Sequence, residues 1–188
     1  MDGKWMRRLF AVVTAFCLAM SLGGCNVVRL VRKVASESVE TVTGVSGRYQ
    51  LDIPGDWVEQ DAKELNELSD IIVSDLLNQK MVMVLPESKE DFDTSVALGD
   101  YADMVWDLMD ESMDDPDFGA AESVTLDGRD ALSRAVSGTV NGTKLQYFVY
   151  ITETADDFVR VMGWTALSKG TSNREELENV MRTFRTVD

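Results

Sequence analysis

Residues 123–153 read "SVTLDGRDALSRAVSGTVNGTKLQYFVYITE" and contain two turn signals, Asp127-Gly128 and Asn141-Gly142. Asp and Asn tolerate a positive φ at the first corner of a two-residue turn, and Gly carries no Cβ to oppose it at the second. Each dipeptide therefore closes a hairpin, and the stretch is three antiparallel strands joined tip to tip. In the last of them Leu145, Tyr147, Val149 and Ile151 fall on one face, with Phe148 and Tyr150 on the other. "DDFVRVMGWTA", residues 156–166, continues as a further strand.

The upstream sequence supplies more sheet and a helix. In "YQLDIPGDW", Tyr49, Leu51 and Ile53 alternate as in a half-buried strand that Pro54-Gly55 ends, and Trp57 follows as a core plug. "SDIIVSD" and "KMVMVLPE" are apolar runs around a turn at Leu76–Gln79, a hairpin. Met81, Met83 and Leu85 would face one side and Val82 and Val84 the other, so both faces read as buried. Leu98, Tyr101, Ala102, Val105 and Met109 then recur at helical spacing beside Trp106, and Pro116 in "DDPDFG" cannot continue that helix. Leu177, Val180, Met181 and Phe184 give a closing helix its stripe, with Ser172 and Glu175 as a capping-box pair. The pattern is α+β: a mainly antiparallel, meandering sheet with at least two packed helices.

The N-terminus reads differently. Lys4, Arg7 and Arg8 precede the apolar "LFAVVTAFCLAMSL", a secretory signal too short for a membrane span, which needs about 20 residues. It ends in Leu22-Gly23-Gly24-Cys25, which resembles the lipobox of bacterial lipoproteins. That resemblance implies cleavage before Cys25 and diacylation of its thiol, leaving residues 1–24 as signal peptide. Cys17 leaves with the signal, so an intramolecular disulfide is excluded. In residues 25–47, Val27, Leu30, Val31 and Val34 at helical spacing interleave with Arg29, Arg32 and Lys33. Those three bases suit an anionic membrane surface, each worth roughly 1 kcal/mol near the headgroups; the alternative is a partly ordered tether. Ser36 to Gly47 reads as linker, and 48–188 as the globular domain.

Charge excludes more than it identifies. The chain carries 18 basic and 33 acidic residues and no histidine. Past Lys33 the body is at −20, which repels phosphate backbones and argues against nucleic acid. It also argues for a soluble, monomeric domain. The missing histidine removes His-based triads and His metal ligands. No S-x-x-K, G-x-S-x-G, H-E-x-x-H or glycine-rich phosphate loop occurs. The densest carboxylate run, Asp107, Asp110, Glu111, Asp114, Asp115 and Asp117, lacks the glycine and closing glutamate of an EF-hand. A solvated helix face explains most of it. If calcium binds, Asp110, Asp114, Asp115 and Asp117 are the ligands to expect, where the helix opens into a loop. No other cofactor is expected.

The order of "YQLDIPGDW", a two-strand unit, a helix, "DGRDALSRAV" leading into three strands, and "LENVMRTF" resembles the PsbP-like family, including the DcrB-type bacterial lipoproteins. The resemblance runs from about Arg48 to Thr186 and implies an α/β/α sandwich with an antiparallel sheet. It implies binding and accessory roles and carries no catalytic motif across; the photosystem role of one plant branch does not transfer. The resulting expectation is a membrane-anchored extracytoplasmic lipoprotein, a non-catalytic binding or accessory module for an envelope protein or small ligand. The alternatives are a calcium-responsive surface protein and a cell-wall hydrolase. In a Gram-positive cell the anchor would sit on the outer face of the membrane. In a Gram-negative cell it would sit in the periplasm, with Asn26 after the cysteine directing it to the outer membrane.

Overall fold

The computed structural model describes residues 38–187. The lipobox residues Leu22, Gly23, Gly24 and Cys25, and the basic residues Arg29, Arg32 and Lys33, lie outside the described residues. Strands β1 (Val39–Thr43) and β2 (Tyr49–Pro54) open the fold, followed by β3 (Val58–Glu59), α1 (Ala62–Leu65), β4 (Ile71–Asp75) and β5 (Lys80–Ser88). Helix α2 (Leu98–Ser112), β6 (Asp114–Phe118), β7 (Glu122–Leu126), β8 (Arg129–Val140), β9 (Thr143–Glu153) and β10 (Asp157–Ala166) come next. Helix α3 (Gly170–Arg182) and β11 (Arg185–Thr186) close the chain.

The main sheet is antiparallel throughout, in the order β3-β4-β5-β10-β9-β8-β6, with β7 also paired to β8. The two turn dipeptides do what their chemistry demands. Asp127 and Gly128 sit at φ 52° and 73°, Asn141 and Gly142 at 48° and 78°. Alternation divides the core into two layers. Met81, Met83 and Leu85 pack with Leu145, Tyr147, Val149 and Ile151 under α1 and α2. Val82 and Val84 pack with Phe148 and Tyr150 under α3 and the β2 side chains. Of the expected helix stripe, Tyr101, Ala102, Val105 and Met109 are buried, as is Trp106 beside it, and Leu98 is half-buried at the helix start. Helix α3 packs closely over Gly163: a Cβ there would meet Met181 Sδ at 2.7 Å, which the flexible Met181 side chain could relieve, and Leu177 Cδ2 at 3.4 Å.

Three expectations change. Residues 39–43, read as linker, pair along their length with β2, so the fold starts before Arg48. The cause is local: Val42 alone is buried in β1, and one inward residue leaves no alternation to read. With β11, these strands make a separate three-stranded sheet, β1-β2-β11, which the sequence did not reveal. The "DDPDF" segment is not a loop but β6, an edge strand on β8, where Pro116 is tolerated. The capping box of α3 is absent, because the helix begins two residues before Ser172. Ser172 Oγ instead donates to Lys169 O at 3.0 Å.

Candidate functional site

Strand β5 has two chemically different ends, and ionisable groups gather at both. At its C-terminal end Glu87 meets Arg160, which β10 projects into the layer beneath α2. Arg160 Nη2 donates to Glu87 Oε2 at 2.7 Å, and the Tyr101 hydroxyl donates to the same oxygen. Arg160 is 2% exposed, and its buried Nε finds no acceptor among the described residues. Burial lowers the guanidinium pKa, but Tyr101 and Glu87 outweigh that and the net shift is upward. Phe158 stacks on Tyr101 with centroids 4.4 Å apart, and Phe92 meets both rings edge-on at 5.5 Å. Tyr101 thus joins the ion pair to the aromatic cluster, whose Phe92 and Phe158 line a groove.

The groove has a volume of about 580 Å³ and lies between the turn after β5 and the loop before α2. Phe92, Val96 and Phe158 give it an apolar floor; Lys89, Glu90, Asp93 and Thr94 form its rim. Lys89 is held in place, with Nζ donating to Thr154 O at 2.7 Å, pairing with Glu153 Oε2 at 2.8 Å and lying 5.2 Å from the Phe158 centroid. Its apolar floor is not flat, because the Phe92 and Phe158 rings stand at 87° to each other, and its rim carries both signs of charge.

Near the groove, Asp157 is 3% exposed and accepts from the Tyr49 hydroxyl at 2.5 Å, while Arg48 pairs with it from the solvent side. Tyr49 and Tyr101 are pushed well above the ordinary phenol value of 10, by burial first and then by the carboxylates they face. Tyr150 is raised as well, by burial and then by Glu178. Groups that hold their protons more tightly when folded stabilise the fold fully below about pH 10 and lose that contribution as pH rises. Absorbance at 295 nm should therefore show these three phenols ionising with the loss of far-UV circular dichroism. A smooth titration near pH 10 with the fold intact would contradict their burial.

At the other end of β5, Lys80 Nζ lies 3.1 Å from Asp75 Oδ2 and pairs with Glu176 on α3. Trp57 Nε1 donates to the same Glu176 oxygen at 2.8 Å, so the expected core plug also fastens α3. Burial raises the Asp75 carboxyl, but hydrogen bonds from Asn78 and Lys80 outweigh it, leaving the pKa below 3.8. Asn173 Nδ2 bonds Asn78 O at 3.0 Å and Thr165 Oγ1 at 2.8 Å, which fixes the β4–β5 turn against α3.

The expected calcium ligands are distributed over two elements. Asp110 is on the exposed face of α2, and Asp114, Asp115 and Asp117 are exposed along β6. Asp114 pairs with Thr139 and Asp117 with Ser137 in the ladder, with a register shift between them. Among the described residues no group of three or more acidic side chains converges as metal ligands would. Lys144 is exposed, as a residue just after a tight turn should be. The ion-paired clusters carried no sequence signal, because their members are remote in the chain: 73 residues separate Glu87 from Arg160, and 96 separate Lys80 from Glu176. The groove is local over 89–96 and needs only Phe158 from elsewhere.

Neither a family model nor a curated protein sequence matches this chain. Solved structures do. The solution structure of cyanobacterial PsbP (CyanoP) from Synechocystis superposes with a TM-score of 0.61 at 16% identity, covering 88% of this chain and 99% of that one. LpqN, involved in cell envelope biogenesis of Mycobacterium tuberculosis, gives 0.54 at 9% identity over 80% and 91%. A Pseudomonas aeruginosa protein of unknown function gives 0.51 at 9% over 77% and 94%. At these identities the likeness is one of architecture, and it agrees with the motif order from Arg48 to Thr186: the domain has the PsbP-like fold.

Proposed function

We propose that the protein is a lipid-anchored, extracytoplasmic binding or accessory module, with Cys25 as its attachment point and the groove beside Lys89 and Phe92 as its recognition surface. The supporting observation is how the described buried charges are used. Arg160, Lys80, Asp75 and Asp157 each bond to protein partners that hold strands and helices together, while Asp70, also buried, accepts from Ser46 N through one oxygen and its Oδ2 finds no partner among the described residues. The groove described above is apolar, shallow and rimmed by both signs of charge. That arrangement suits an envelope protein segment or a small apolar ligand better than a reaction. The LpqN likeness, with its envelope role, favours an envelope protein as partner. The calcium alternative draws no support from the exposed, separated carboxylates of α2 and β6.

The test is crosslinking on living cells with the native chain, Cys25→Ser, and Thr94→Arg, which places a long cation in the groove mouth. One recurrent envelope partner should be recovered with the native protein, several-fold less with Thr94→Arg, and less when the anchor is missing. Equal recovery with all three would dismiss both the groove and the tether. Turnover of peptidoglycan fragments or glycosides by the purified domain would replace this reading with the hydrolase.

A further inference from the structure

Among the described residues, seven large apolar side chains stay exposed: Val39, Val45, Val58, Leu76, Leu77, Leu167 and Val187. Their distribution is uneven. Leu76 and Leu77 form the tip of the β4–β5 turn, and Leu167 follows β10 where Thr165 pairs with Lys80 at the start of β5. The Asn173–Asn78 bond holds the two segments side by side. Val58 pairs with Ser74, two residues before the tip, and Val39 pairs with Pro54 at the chain's entry, where Gly55 N donates to Ser38 O at 2.9 Å. Five of the seven thus belong to the end of the domain from which the N-terminal segment departs.

The charge pattern singles out the same place. Residues 76–79 carry no charge, and residues 167–173 carry only Lys169, in a body otherwise at −20. An anionic bilayer repels most of this domain, but these two segments present leucines and one cation, with the acids Glu40, Asp56 and Glu59 set back beside Val39 and Val58. Cys25 lies thirteen residues before Ser38, a reach of roughly 45 Å when fully extended. It is shorter if Val27 to Val34 lie along the interface. We infer that this end rests on the lipid surface, with Leu76, Leu77 and Leu167 dipping into the headgroup region and Lys169 at anionic headgroups. The inference depends on the lipid anchor proposed above. It adds an orientation: β5 stands between its two ends, about 27 Å apart by strand rise, and the groove faces away from the membrane, toward partners.

The predicted processing makes the test clean, because acylated Cys25 leaves any introduced cysteine as the sole free thiol. Native lipoprotein carrying Leu77→Cys or Thr94→Cys is labelled with bimane. It is then reconstituted into vesicles of seven parts phosphatidylethanolamine and three parts phosphatidylglycerol, with and without brominated acyl chains. Emission from position 77 should shift to the blue and be roughly halved by the brominated lipid, while position 94 should be unaffected. Equal responses at the two positions on vesicle-bound protein would overturn the orientation and leave the anchor standing. A blue shift at 77 without quenching marks protein contact, a second copy or a partner, and would also overturn it. If the protein does not float with vesicles, and Cys25→Ser does not change its mass by the lipid, the anchor itself fails and the orientation falls with it.

Discussion

Glu87→Ala is expected to lower the unfolding free energy by about 3–5 kcal/mol, the range for breaking a buried ion pair from one side. The substitution leaves Arg160 at 2% exposure with a full charge and no carboxylate, and it removes the acceptor of the Tyr101 hydroxyl. Because Nε already finds no acceptor among the described residues, the guanidinium would then lack an acceptor there as well as its carboxylate. Urea unfolding gives the value directly. Combining Glu87→Ala with Arg160→Met should recover most of the loss, since the charge is what makes the single change costly. A single-variant loss below about 1 kcal/mol would mean that water reaches Arg160.

The second large effect lies at the opposite end of β5. Asp75→Ala should cost about 1–3 kcal/mol, because Lys80 is 2% exposed and keeps Glu176, which is partly open to solvent, and the Trp57 ring 5.4 Å away. Asp75→Asn should cost less, as the amide can still accept from Asn78. The pH dependence has a definite sign. The Asp75 pKa is depressed in the folded protein; so are those of Asp52, by its bond from Arg185, and Asp127, where Thr186 and Arg129 overcome burial. Their stabilisation is fully present above pH 4 and is lost as pH falls through the folded values. Acid unfolding followed by circular dichroism should therefore begin below about pH 4, and Asp75→Asn should flatten its slope. An identical acid slope in that variant would remove Asp75 from the account.

Most of the main sheet was legible because its signals are local. A glycine after Asp or Asn, or an apolar residue at every second position, needs no knowledge of the rest of the chain, and β8, β9, β10 and the β4–β5 hairpin all announce themselves this way. The short elements could not. Strand β1 buries one valine, β11 is two residues long, and β6 carries three exposed aspartates and a proline. Each exists because a longer strand offers it backbone partners, which is a tertiary cause. The groove was illegible for the same reason. Phe92 and Phe158 meet only after β5 and β10 have paired, and nothing near either residue foretells the other. The calcium expectation failed to gather support because a run of acids is a statement about composition, while a binding site is a statement about convergence.

Strand β5 leaves one more consequence. Its odd-numbered residues Met81, Met83 and Leu85 belong to one core, and its even-numbered Val82 and Val84 to the other, with neighbours bonded along both edges. Losing or gaining a single residue within it would exchange the two sets and force methionines into valine-shaped spaces throughout. Divergence among chains of this architecture should accordingly enter as changes in the lengths of turns such as Leu76–Gln79 and the stretch after Ser88. The count of residues between those turns has no freedom to drift. Both ends of β5 can then be remodelled independently, while the distance separating them is inherited unchanged.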